Sequence, residues 1–98
     1  MSWQPEVDEI RRRADLAAQM GGPENVERQH AAGRLTVRER VQRLLDADSF
    51  HEIGALAGKA TYDAEGNLDS FVPSNFVLGT GRIDDRRVVV AGDDFTVR

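Results

Sequence analysis

The sequence predicts an α/β chain, with a helical first half followed by a β-rich second half. Three observations carry that prediction. Apolar residues in the first half recur at helical spacing between glycine breaks, Thr36 and Glu39 have the spacing of a capping box, and from Phe76 onward the pattern turns to β-branched runs, of which Val88-Val89-Val90-Ala91 is the densest.

Trp3, Val7, Ile10, Ala14 and Ala17 fall on one face of a first helix, entered at Pro5 and stopped by Gly21-Gly22. Arg11-Arg12-Arg13 cross that helix with Asp8, Glu9 and Asp15 at ion-pair spacing, so a solvated face is preferred over a phosphate-binding patch. Pro23 fits the first position of a second helix that reaches Ala32 and ends at Gly33. Thr36 then opens a third helix from Val37 to about Leu45, with Val37, Val41, Leu44 and Leu45 as its apolar stripe. These stripes are too narrow to form a bundle core, so the arm needs an outside surface to cover it.

The strand half begins with a plausible strand over 49–56. Residues 58–75 contain Asp63-Ala-Glu-Gly66-Asn, Pro73 and Ser74, and read as a long polar loop. Strands are expected at 77–83 and 87–91, joined tightly at Asp84-Asp85-Arg86, with a further short strand at Asp94-Phe-Thr-Val97. A continuous Val88 to Ala91 run expects cover on both faces, and nothing in residues 1–98 looks able to supply both. The chain alone is therefore expected to be marginal, loosely packed or self-associated.

With 98 residues, 40% of them hydrophobic, the chain suits at most one small domain with a modest core. No cysteine is present, which excludes disulfides and thiolate metal sites and is compatible with a reducing cytoplasm. The N-terminus lacks a basic segment followed by an apolar one, and no run approaches the roughly 20 apolar residues that span a bilayer. A soluble, cytoplasmic protein without membrane partners is expected. The formal net charge of -4 hides an asymmetry, since residues 1–45 carry eight basic and seven acidic side chains and residues 46–98 carry five and ten. An anionic ligand is better received by the first half. Nucleic-acid binding is disfavoured by the acidic pI of about 5.1 and by a single Trp and a single Tyr.

Few residues offer chemistry. His30 and His51 lack a second ligand at metal spacing and are read as structural, with no metal site expected. Gly79-Thr-Gly81 lacks the rest of a dinucleotide loop, so its glycines are read as strand positions where another backbone passes closely. The Asp84-Asp85 and Asp93-Asp94 pairs suit a turn and a strand start better than acid–base work, and no catalytic residue is assigned. The exception worth carrying is Arg34 with Arg38. Arg34 precedes the third helix, whose free N–H groups and dipole favour an anion such as a phosphate, and Arg38 lies one turn inside. The competing reading has Arg38 paired with a nearby carboxylate.

Three segments carry a family resemblance. They are Glu27-Arg-Gln-His-Ala-Ala-Gly-Arg-Leu-Thr-Val-Arg-Glu-Arg-Val-Gln-Arg-Leu-Leu-Asp46 running on to Phe50-His-Glu52, then Gly79-Thr-Gly-Arg-Ile83 with Arg87-Val-Val-Val90, then Asp94-Phe-Thr-Val97. Together they resemble the N-terminal part of the carboxyltransferase (β) subunit of biotin-dependent acyl-CoA carboxylases, of the propionyl-CoA and methylcrotonyl-CoA type. The matches cover most of residues 24–98.

The resemblance implies a helical N-terminal arm over 1–46 and, over 47–98, the beginning of a crotonase-like (ClpP/crotonase) fold, truncated because family subunits are several times longer. It implies an enzyme that transfers the carboxyl group of carboxybiotin, carried on a separate domain, to the α-carbon of an acyl-CoA. The enolate of that reaction is stabilised by backbone N–H groups in glycine-rich turns, which the resemblance places after Arg98. This chain is then a fragment, inactive alone and binding no biotin directly. Its implied partners are the acyl-CoA substrate, a biotin carboxylase/biotin carrier subunit, and further copies in a homo-oligomer. The alternative reading is a small stand-alone interaction module without catalytic activity.

Overall fold

A computed structural model describes residues 2–97. Three helices come first, α1 (Gln4–Ala18), α2 (Pro23–Ala31) and α3 (Val37–Leu44), followed by five strands, β1 (His51–Ile53), β2 (Gly58–Tyr62), β3 (Leu68–Pro73), β4 (Phe76–Ile83) and β5 (Arg86–Asp93). The strands form two antiparallel sheets, one of order β1-β4-β5 and the other a β2-β3 hairpin.

The helix signals read from the sequence act where expected. Proline stands in the first turns of α1 and α2, and α3 has a complete capping box: Thr36 Oγ1 accepts from Glu39 N at 3.2 Å and Glu39 Oε1 accepts from Thr36 N at 2.9 Å. Helix α3 lies on one face of the three-stranded sheet. Val37, Val41, Leu45 and Val77 make the core there, with Phe50, Ile83, Val88 and Val90 packed against it. The approach requires a missing side chain, because a Cβ on Gly81 would stand 2.5 Å from Leu45 Cδ1. Beyond Gly81, the Asp84-Asp85 corner is a two-residue hairpin loop with φ of 50° and 67°, matching a type I′ turn.

The structure corrects several expectations. Residues 58–75 are not a polar loop but chiefly the β2-β3 hairpin. Asp63 Oδ1 accepts from Glu65 N and Asn67 N, both at 2.9 Å, and closes the turn, while Leu68, Phe71 and Pro73 present one buried face. Those turn residues have the composition of a loop, and they cap a hairpin whose strands are only five and six residues long. Asp94 to Val97 is a turn rather than a strand, since Asp94 Oδ1 accepts from Thr96 N at 3.0 Å and from Thr96 Oγ1 at 2.6 Å.

Helix α1 does not bury its predicted stripe. Trp3 and Ile10 are exposed, Ala17 is buried, and Arg13, Leu16 and Met20 are half-buried, because the face that meets β3 is rotated from the periodic one. The triple arginine is accordingly not a purely solvated face. Arg13 donates to the Tyr62 hydroxyl at 2.7 Å and its guanidinium lies 5.2 Å from the Phe71 ring centroid. Leu44, expected in the α3 stripe, is 53% exposed.

Strand β5 receives cover on one face only. Val88 and Val90 meet the α3 core, while Val89 on the other face is 74% exposed.

Candidate functional site

Sequence reasoning placed its one site at the start of α3, and that region holds an ion pair and a carboxylate cap. Arg38 sits in the first turn of α3 and Glu52 in β1. The helix rests on the sheet so that the guanidinium fork meets the carboxylate squarely, with Nη1 to Oε1 at 2.7 Å and Nη2 to Oε2 at 2.9 Å. This two-pronged geometry is the strong form of the Arg–carboxylate pair. It raises the Arg38 pKa, chiefly through the hydrogen bond to Glu52 and against the cost of burial, with Asp94 adding a smaller attraction. Arg38 Nε is buried without a partner.

The terminus of α3 is already held by a carboxylate. Glu39 Oε1 takes the Thr36 N–H and lies 2.6 Å from His30 Nε2. The His30 contact first, then the Thr36 hydrogen bonds, lower the exposed Glu39 carboxyl to about 2. Arg34 is exposed on the α2–α3 link, where its N–H donates to Gln29 O at 3.1 Å. No hydrogen bond or ion pair among the described residues joins Arg34 to Arg38.

A second polar cluster, which sequence reasoning missed, lies next to this one. Asp94, Thr96 and Thr36 are buried, Asp94 N donates to Asn75 O at 2.7 Å, and Gly21 N donates to Thr96 Oγ1 at 3.0 Å. The cluster stitches the end of β5 to the α1–α2 junction. A Cβ on Gly21 would collide with the Thr96 carbonyl, so glycine is required at that crossing. The Asp-x-Thr spacing at 94–96 was the available signal, being the pattern of a local side-chain to backbone turn. Asp46 is a further missed anchor: its carboxylate accepts from Asp84 N at 3.0 Å and from Asp85 N at 2.8 Å, fixing the exit of α3 to the hairpin turn.

Chemically, these groups lock elements together. A neutralised Arg–Glu pair, a capping carboxylate and an internally bonded Asp–Thr turn leave no base or nucleophile aimed at an open space. A depression of about 610 Å³ over β1, β4 and β5 is lined by His51, Arg82, Arg87 and neighbours and is wide open. Among the described residues no three His, Asp or Glu side chains lie together as a metal site would need, and no helix is long and apolar enough to cross a membrane.

Comparisons with known proteins give this geometry its context. The family model described as the carboxyl transferase domain matches residues 28–98. The propionyl-CoA carboxylase beta chain of Cereibacter sphaeroides is 37% identical over 91 residues, which is 93% of this chain and 18% of that protein. The methylmalonyl-CoA carboxyltransferase 12S subunit of Propionibacterium freudenreichii subsp. shermanii is 38% identical over 92 residues, covering 93% of this chain and 17% of the relative. Among solved structures, a transcarboxylase 12S crystal structure, reported as a hexamer assembly with methylmalonyl-coenzyme A and methylmalonic acid bound, superposes with a TM-score of 0.78 at 33% identity. That match takes in 99% of this chain and 19% of the other. The chain thus spans less than a fifth of the curated relatives it matches. At this identity the likeness extends the α/β reading to the crotonase-like fold of the solved relative.

Proposed function

The chain belongs to the carboxyl transferase domain family, and from that premise we propose that it builds the arm and first sheet of a biotin-dependent acyl-CoA carboxyltransferase. The observation that carries the reading is the family match over 28–98 together with a superposition that takes in almost the whole chain. In this reading residues 1–46 are the arm and 47–98 begin the N-terminal domain. The reaction moves the carboxyl group of carboxybiotin to the α-carbon of an acyl-CoA in the cytoplasm, with a biotin carboxylase/carrier subunit and further copies of the subunit as partners.

The part played by these residues is to hold the frame. Acyl-CoA carboxylation needs a preorganised set of donors for an enolate oxygen, and donors help only if they do not have to reorganise when charge develops. The Arg38–Glu52 clamp, the Asp46 anchor and the Asp94–Thr96 turn supply that rigidity between helix and sheet. Biotin is a poor fit to these residues, because among the described residues the buried side-chain atom without a partner, Arg38 Nε, belongs to a guanidinium already engaged by Glu52. No step through biotin is derived for them. A stand-alone interaction module, the competing reading, is not favoured by the carboxyltransferase relatives.

A chimera tests the frame role: the corresponding fifth of the 12S subunit is replaced by this chain, and assembly and carboxyl transfer are measured. Retained transfer supports the reading, and an assembled but inactive chimera overturns it. The chain alone should show no transfer from carboxybiotin to propionyl-CoA.

The phosphate role for Arg34 and Arg38 belongs to the same proposal, with Arg34 as the exposed contact and Arg38 held behind it. Arg34→Ala in the chimera should raise the acyl-CoA KM more than it lowers kcat, since a remote phosphate contact is made equally in ground and transition states. A lower Tm with unchanged KM would assign Arg34 to bracing instead.

A further inference from the structure

The Asp84-Asp85 corner has no glycine, although its turn type favours one. We propose that Asp46 supplies what the glycine would: its carboxylate is the internal anion that holds the corner left-handed, which makes the end of the β4-β5 hairpin conditional on the exit of α3. Residues 84 and 85 have φ of 50° and 67°. A two-residue loop of this kind needs positive φ at both positions, and Asn-Gly meets the demand because glycine has no Cβ to crowd the backbone. Two aspartates reach the same region only against a steric cost. The flanking strands do little to offset it, since the closing pair of Ile83 with Arg86 is followed by the like-charge pair of Arg82 with Arg87.

Asp46 meets the corner in the way that favours its left-handed form. Successive N–H groups in such a turn point to one side and make a small anion-binding concavity. Asp84 N donates to Asp46 Oδ1 at 3.0 Å and Asp85 N donates to Asp46 Oδ2 at 2.8 Å, so each carboxylate oxygen takes one donor. Bonds to a charged acceptor are roughly twice as strong as neutral ones. Relaxing the corner to negative φ turns the two N–H groups apart, so the pair of bonds belongs to the left-handed state alone. Asp46 is itself held: its N–H donates to Arg82 O at 2.8 Å, Ser49 N donates to Asp46 O at 3.2 Å, and Arg82 N donates to Ser49 Oγ at 3.1 Å. The segment leaving α3 therefore grips the end of β4 and the loop together. All of these partners lie within residues 46–85, and none of the contacts depends on an open face or edge.

The test is a mutant cycle on the full chain, at high salt so that repulsion among the three carboxylates is screened. It combines Asp46→Ala with a loop exchange, Asp84→Asn plus Asp85→Gly, and reads amide hydrogen exchange at 84, 85 and 86 together with urea titration. Asp46→Ala alone should speed exchange at those amides by about tenfold or more and lower the folding constant by about ten- to a hundredfold, the size expected for hydrogen bonds to a charge. In the Asn-Gly loop the same Asp46→Ala should cost no more than about threefold and leave residue 86 protected, because that loop holds its own conformation and its amides can turn to water. Asp46→Asn, which keeps one acceptor, should fall between. Equal losses from Asp46→Ala in the two loops would overturn the proposal, since strand pairing would then impose the corner, and so would unchanged exchange at 84 and 85. If Asp46→Ala alone does not fold, recovery in the Asn-Gly loop supports the proposal and failure in both loops overturns it.

Discussion

Helix α3 on its sheet and helix α1 on its hairpin are the same kind of contact built to different depths. Helix α3 brings a cap, a two-pronged ion pair and three buried aliphatic side chains, Val37, Val41 and the adjoining Leu45, onto β4 and β5. Helix α1 has no side-chain cap, buries only Ala17, and reaches the hairpin through Arg13 over Phe71 and a Tyr62 hydroxyl. Trp3 remains 74% exposed. The molecule is accordingly a slab of 47 × 34 × 16 Å with a radius of gyration of 15.4 Å. A compact domain of this length would have about 13 Å. Its accessible surface of 7281 Å² likewise exceeds the roughly 5,600 Å² that surface scaling gives for 10.9 kDa. A family segment can therefore carry one self-sufficient contact and one that depends on what lies against it.

The largest effect expected on this comparison comes from truncating matched core residues on the two sides. Leu45→Ala should cost about 2–5 kcal/mol and remove protection from every strand amide, because it empties the α3 core. Phe71→Ala should release α1 and the β2-β3 hairpin while amides of β4 and β5 stay protected. Hydrogen exchange on both variants reads this directly. Loss of protection throughout the chain in Phe71→Ala would erase the distinction between the halves.

Glu52→Gln comes next. It leaves the half-buried Arg38 charge without its counter-charge and should destabilise by about 1–3 kcal/mol in urea titration. Replacing the pair together, Arg38→Met with Glu52→Leu, should recover most of that loss, since two apolar groups leave no orphaned charge. A double variant as unstable as the single one would mean that the pair positions α3 by more than charge.

Thr36→Ala removes the cap and should cost about 1 kcal/mol. The smallest effect is one of pH. Glu39 is lowered in the folded chain from an ordinary value of 4.5 to about 2, so its contribution is complete above 4.5 and is lost as pH falls toward 2. In Glu39→Gln the slope of stability against pH over that window should flatten. An unchanged slope would show that the acid response arises from other carboxylates.

Much of α3 could be read in advance because its determinants are local. Thr36, Glu39 and the spacing of Val37 and Val41 specify a capped amphipathic helix whatever surface it meets, and Asp84-Asp85 mark a two-residue turn wherever two strands flank it. Arg38 stands on that helix, but its partner Glu52 lies fourteen residues away in another element, and no spacing rule pairs them. The hairpin at 58–73 is not legible in the sequence because its apolar residues Leu68 and Phe71 are buried on the side of α1, which is far off in sequence.

By itself the sequence determined the α/β order, the three helix starts and the family to which the chain belongs, since propensity, capping and residue order act within a few positions. The tertiary structure alone decided which face of α1 is buried and which carboxylate takes Arg38. Those outcomes depend on rigid-body placement of whole elements, where a rotation of one helix by a fraction of a turn exchanges a buried residue for an exposed one at no cost that local rules can register.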